Sequence, residues 1–304
     1  MLLAGGNKAT LEIIKRKLIT WFKISDMGDV PRVLGKQVTC DSQATSLTIT
    51  QDDYTRGLLV KYGMQDFRPL GTPRYSKKMQ PEESLLDDVA KRRFQAIVGS
   101  TMYLSQVARY DISYAVNQLA RAMSKPSKVH MGAGKHLLRY LAGTVDFSIT
   151  YKQGEFRLNA YSDANWGNNP DNGKSTSSYI MMMCNGPVSF KVGMQGLTTR
   201  STMEAELVAG ALAMREAVFC QNMMTELRFK EDFECVPLHI DNTSALHVAG
   251  NQTYSSRAKH VALRYFYIRE IIKEGHVSIH YMPTEKQLAD LGTKFLNTNS
   301  GTGS

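Results

Sequence analysis

The sequence predicts an α/β second half, a mixed five-stranded sheet flanked by helices, behind an α+β first half. Three observations predict it. Residues 157–164, 176–184 and 187–194 read as strands joined by turns, which makes them antiparallel. After them, helical and strand patterns alternate (202–227, 236–241, 257–273, 276–282), and such alternation turns a sheet parallel. Ahead of them, three helical periods run in succession at 89–108, 111–123 and 127–142.

Taken in order, residues 1–6 read as the end of a strand that began upstream. Asn7 is placed to cap a helix over 8–22, with Leu11, Ile14, Leu18 and Trp21 or Phe22 as its apolar stripe. Two strands, 33–39 and 46–50, are joined by the turn formers Asp41, Ser42, Gln43 and Ala44. A helix is expected over 52–64, with Tyr54, Leu58, Leu59 and Tyr62 on one face. Residues 66–88 carry Pro69, Pro73 and Pro81 and read as a linker. The three helices that follow are basic, and 147–151 reads as an edge strand leading into the second half. There, short helices are also expected at 243–249 and 285–296, ahead of a Gly/Ser/Thr-rich tail.

Composition narrows the function classes. The chain has 304 residues, enough for two domains, and a net charge of +9 that suits a polyanionic partner such as nucleic acid, although solubility alone also accounts for it. The four cysteines (Cys40, Cys184, Cys220, Cys235) show neither metal-ligand spacing nor a disulfide pattern, which fits an intracellular, reducing setting, cytoplasmic or nuclear. No run approaches the ~18 apolar residues of a membrane span, and the start is too short for a signal peptide. Met181–Met183 read as core or sheet surface.

The chemistry-bearing residues are acidic, and each sits near the end of an element. In Leu158–Trp166, apolar and polar positions alternate until Gly167, so Asp163 lies near a strand end. Two glutamates compete on the next long helix. Ser201 and Glu204 have the spacing of a capping box, and Glu204 shares its face with Leu207, Val208 and Ala211. Glu206 lies roughly 200° round the helix, beside Thr202, Ala209, Gly210 and Ala213, a face of small residues that can press against a strand. Chemistry is therefore assigned to Glu206 and capping to Glu204. Asp241 closes the strand 236–241, and Asp290 falls on the last predicted helix. Each has a bland reading alone: a turn or cap for Asp163, a cap for Asp241, a solvated acid for Asp290. Four converging carboxylates would repel one another, and hard divalent cations relieve that repulsion. Two such ions serve phosphodiester cleavage.

These residues stand in motifs that resemble a known family. Tyr161-Ser-Asp-Ala-Asn-Trp166, Lys174-Ser-Thr-Ser-Ser-Tyr179, Ser201-Thr-Met-Glu-Ala-Glu206, Asp241-Asn-Thr-Ser-Ala245, Arg257-Ala-Lys-His260, Tyr267-Ile-Arg-Glu270 and Gln287-Leu-Ala-Asp-Leu-Gly-Thr-Lys294 are similar to the ribonuclease H region of copia-type retrotransposon polyproteins. Val98-Gly-Ser-Thr-Met-Tyr-Leu104, Asp111-Ile-Ser-Tyr-Ala-Val-Asn117 and Leu138-Arg-Tyr-Leu-Ala-Gly-Thr144 resemble the stretch just upstream, in the same order. The resemblance spans nearly the whole chain. It implies the end of a reverse transcriptase palm and thumb over 1–74, a linker and helical connection over 75–150, a ribonuclease H-like fold over 151–297 and a flexible tail over 298–304.

The activity implied is metal-dependent endonucleolytic cleavage of RNA in RNA–DNA hybrids. Asp163, Glu206, Asp241 and Asp290 fall on the catalytic, metal-binding positions for two Mg²⁺ ions, with Mn²⁺ as a substitute. Polymerase activity is not expected, because the family's Asp-Asp turn would precede Met1. Arg200, Arg257, Lys259 and His260 are candidate contacts to substrate. Trp166 reads as a packing residue. Three departures from the family pattern stand out: Asn165 where a second Asp is frequent, Tyr110 in place of Pro, and Phe266 in place of His. The rival readings are a catalytically inactive nucleic-acid-binding remnant and an integrase-like strand transferase. The order of the acids, with Glu second and Asp last, speaks against the latter.

Overall fold

The structure is a computed structural model. It describes residue 3 and residues 7–26, 28, 32–41, 43, 45–75, 84–154, 156–227, 235–243 and 259–295. The strand expected at 1–6, most of the helix expected at 243–249 and the tail therefore lie outside the described residues.

The first half is built on a four-stranded antiparallel sheet in the order β1 (Arg32–Val33), β2 (Lys36–Cys40), β3 (Ser46–Thr50), β4 (Ser148–Lys152). The strand expected at 33–39 is broken into β1 and β2. Leu34 and Gly35 both take positive φ, which makes a two-residue hairpin loop between paired Val33 and Lys36. The edge strand expected at 147–151 belongs to this sheet, since Ile149 pairs with Ile49 of β3. Helix α1 (Lys8–Trp21) is capped by Asn7 as expected, but its apolar stripe is not buried. Helices α2 (Asp52–Tyr62), α3 (Asp88–Val107), α4 (Ser113–Arg121) and α5 (Lys128–Gly143) close a second layer. Helix α2 stops at Gly63, whose φ of 65° lets the Met64 N–H reach back to Leu59. Leu58 and Leu59 of α2 share one core with Phe94, Val98, Leu119, Leu137 and Leu141, so segments 1–74 and 75–150 meet in a single cluster. The helix expected over 111–123 is instead a 3-10 turn, Tyr110–Ile112, followed by α4. Arg109, almost wholly buried, forks onto the Asp111 carboxylate (2.9 and 2.8 Å) and the Thr144 carbonyl (2.8 Å), which holds the chain in that turn.

The second half is a five-stranded sheet in the order β7 (Gly186–Met194), β6 (Thr176–Met183), β5 (Asn159–Asn165), β8 (Val236–Ile240), β9 (Val277–Tyr281). Strands β5, β6 and β7 pair antiparallel, and β8 and β9 run parallel to β5. This is the mixed five-stranded sheet flanked by helices that the sequence predicts. The long helix α6 (Thr202–Glu226) packs on one sheet face with α7 (Lys259–Lys273), enclosing Ala160, Met181, Ala213, Met214, Leu238, Ile268 and Val277. The opposite face is covered by Tyr110 from the first half and by Leu288, Ala289 and Leu291.

That last segment corrects the helix expected over 285–296. It forms two short 3-10 turns, Thr284–Lys286 and Leu288–Gly292. Between them the buried Gln287 side chain donates to the carbonyls of Ser162 and His239 (both 3.2 Å). A side chain pinned across two strands stops a regular helix from rolling through this position. Among the described residues no helix is long and apolar enough to cross a membrane.

Candidate metal centre

Parallel neighbours end at the same edge of a sheet, and that edge is where α/β sheets collect ligands. Strands β5 and β8 are such neighbours. Asp163 stands near the end of β5, and Asp241 directly follows β8. Glu206 comes one turn into α6, and small residues bring that helix against β5: Ala205, Ala209 and Ala213 are fully buried. One oxygen from each of Asp163, Glu206 and Asp241 lies within 4.8 Å of the others. Among the described residues this is the one group of three such ligands. They line an open cleft of about 570 Å³ with Asn165, Trp166, Thr202 and Lys294.

Partners differ among the carboxylates. Asp163, 2% exposed, accepts from the Thr293 hydroxyl. Asp241 accepts from Thr284 Oγ1 at 2.9 Å. Glu206 Oε1 accepts from the Ala164 N–H at 3.3 Å, while its buried Oε2 has no hydrogen-bond partner among the described residues. Glu204, by contrast, is a cap: its Oε2 accepts from the Arg200 N–H (2.7 Å), and its own N–H donates to Ser201 Oγ (3.2 Å). The fourth predicted acid is only adjacent. Asp290 lies against Asp163, and its Oδ2 is paired with Lys294 Nζ at 2.8 Å. Among the described residues its buried Oδ1 has no hydrogen-bond partner, and burial first, with Asp163 nearby, raises its pKa to about 6.

Burial, then the charges of Asp163 and Asp241, push the Glu206 carboxyl up to about 9. All ligand atoms here are carboxylate oxygens, and among the described residues one of them, Glu206 Oε2, is buried without a hydrogen-bond partner. That donor set fits a hard divalent cation and would suit thiophilic metals poorly.

A group whose folded pKa is raised favours folding fully below its ordinary value of 4.5, and that contribution is lost as pH rises toward about 9. Glu206→Gln is therefore expected to stabilise the chelator-treated chain at pH 8 by roughly 1–2 kcal/mol, or about 2–8 °C in Tm, once relaxation is allowed for. Paired melting curves at pH 4 and pH 8 check this. The gain should vanish at the lower pH.

Other predicted residues fall as follows. Arg200 is exposed just before α6, and its backbone N–H is taken by Glu204 rather than left for a phosphate. Lys259 and His260 open α7, and Arg257 lies outside the described residues. Trp166 anchors only its indole N–H, on the Thr199 carbonyl (3.1 Å), and stays 47% exposed at the cleft, so it packs less than expected. Asn165 donates to the Thr293 carbonyl (3.0 Å), and Phe266 is half exposed. Sequence reasoning missed Lys294 and Thr293. Lys294 had a signal, four residues after Asp290, the spacing of a helical ion pair. Thr293 had none, because its contact spans 130 positions.

No family model matches the chain. Curated relatives whose matches cover 98% of it include the Pol polyprotein from transposon TNT 1-94 of Nicotiana tabacum, 30% identical, and that from transposon RE1 of Arabidopsis thaliana, 33% identical. The chain belongs with the copia-type retrotransposon Pol polyproteins. It spans 23% and 20% of those two relatives' lengths. A solved ribonuclease H1 isolated from compost, in complex with an RNA/DNA hybrid, is 17% identical over 45% of this chain and 93% of that one, with a TM-score of 0.32.

Proposed function

We propose that this Pol segment is a hydrolase that cuts the RNA strand of RNA–DNA hybrids endonucleolytically. The observation that carries the reading is the trio Asp163, Glu206 and Asp241, with oxygens within 4.8 Å and a buried Glu206 Oε2 that has no hydrogen-bond partner among the described residues. These three would hold Mg²⁺, or Mn²⁺ in its place, and Asp290 would complete a two-ion centre. Bound divalent ions would supply Lewis acidity toward an attacking water and a leaving oxygen. The chain's own groups do the rest. Burial raises the Glu206 carboxyl pKa to about 9, so a cation held there would displace its proton. Thr293 and Thr284 fix the orientation of Asp163 and Asp241. Lys294 Nζ, at the cleft wall, is a cation that can exchange Asp290 for a substrate phosphate. Arg200, Arg257, Lys259 and His260 are proposed to contact the nucleic-acid backbone, in keeping with the net charge of +9.

The test is cleavage of a labelled RNA–DNA hybrid by the full chain. Cutting of the RNA strand is expected with Mg²⁺ and not with chelator, and Glu204→Gln is expected to keep activity within about threefold. A folded chain that binds hybrid in a salt-dependent way but never cuts it would make the protein an inactive nucleic-acid-binding remnant instead.

A further inference from the structure

Tyr110 belongs to the first half of the chain, yet its ring is 6% exposed and lies on the β5–β6–β7 face of the second. It tilts against Phe190 with ring centroids 5.1 Å apart and packs with Ile180 and Ala289. Its hydroxyl lies 2.6 Å from Ser178 Oγ and 3.3 Å from the Ala289 carbonyl, to which it donates. Both partners adjoin the acidic centre. Ser178 is the residue opposite Asp163 in the β5–β6 register, so the two side chains share a sheet face. Ala289 directly precedes Asp290 in the turn Leu288–Gly292. A Cβ at Gly292 would fall 2.7 Å from the Tyr110 oxygen, so the turn closes directly onto the phenol. From behind, the Arg109 fork onto Asp111 and Thr144 fixes the backbone that delivers it.

We propose that Tyr110 is a positioning residue for the metal centre, its hydroxyl holding the turn Leu288–Gly292 so that Asp290 lies against Asp163. The role deepens the hydrolase reading and rests on the carboxylates named there. It means that the hydrolytic half is completed by a side chain from the upstream half. Tyr110→Phe keeps the ring and removes only the oxygen.

The experiment measures Mn²⁺ binding to the full chain by calorimetry, without nucleic acid, beside the Mg²⁺ dependence of hybrid cleavage. Four proteins are compared: wild type, Tyr110→Phe, Asp290→Asn and the double variant. Tyr110→Phe is expected to weaken Mn²⁺ binding about tenfold, the scale of a lost support to a metal ligand, and to raise the half-saturating Mg²⁺ concentration in step. In the Asp290→Asn background the same change is expected to have no further effect, since the charged carboxylate it positions has been replaced by a neutral amide. An equal loss in both backgrounds, or no loss in either, would overturn the proposal, as loosening of the sheet face alone cannot depend on Asp290. A wild-type chain that binds Mn²⁺ but leaves hybrid intact would sink the hydrolase reading, and the positioning role would then be decided on Mn²⁺ alone. A wild-type chain that binds no Mn²⁺ overturns both.

Discussion

Asp163→Asn is expected to abolish hybrid cleavage, by about 1000-fold or more, while leaving the chain folded. The carboxylate has the most central place in the cluster: its neighbours are Glu206, Asp241, Asp290 and Thr293. Losing one ligand of a hard cation removes several kcal/mol of charge stabilisation. A thousandfold corresponds to about 4 kcal/mol. The fold should not suffer, because an amide oxygen still accepts from Thr293, and removing one of several crowded like charges relieves repulsion. Metal-free Tm should therefore equal or exceed that of the parent. Retained cleavage in the variant would count against the site. A collapse in Tm would mean that Asp163 holds the fold rather than the metal.

The second large effect is expected at Gly292, for a steric reason. A Cβ there would meet Val192 Cγ2 at 2.6 Å and Tyr110 Oη at 2.7 Å, and would come closer still to Ser178 Oγ. None of these can retreat freely. Val192 and Ser178 are paired strand residues, and Tyr110 is buried. Overpacking of this kind costs about 1–3 kcal/mol, sometimes more. Gly292→Ala should thus lower Tm by about 2–4 °C per kcal/mol. It should also push the Leu288–Gly292 turn off the sheet and weaken Mn²⁺ binding at least as much as Tyr110→Phe. An unchanged melting curve would show that the face is looser than these distances imply.

What was legible in the sequence follows the range of the physics involved. Periodicity is local, so the strands carrying Asp163 and Asp241 and the long helix of α6 could be read directly. The choice of Glu206 over Glu204 also came from a local rule, since 200° of helix separates a cap from a face of small residues. Interactions that fix the remaining features connect distant positions. Gln287 reaches back to Ser162 and His239, and this turned an expected helix into two 3-10 turns. Strand β4 paired with β3 about a hundred residues earlier, which local alternation had no means to signal. The same holds for Tyr110. In the sequence it was one departure from a family pattern, and only the folded chain brings it to Ser178 and Ala289.

The crossing of β4 carries a further consequence. This strand completes the first sheet, and the Tyr151 hydroxyl donates to the Pro187 carbonyl (2.6 Å) while the Lys152 N–H donates to Cys184 at the hairpin tip of the second. Together with Tyr110, these contacts make the two halves interlocking parts and not beads on a string. Neither can be exchanged for the matching half of a distant relative without refitting the seam. A change at Phe190 or Ile180 would therefore disturb the seat of Tyr110 without touching any carboxylate.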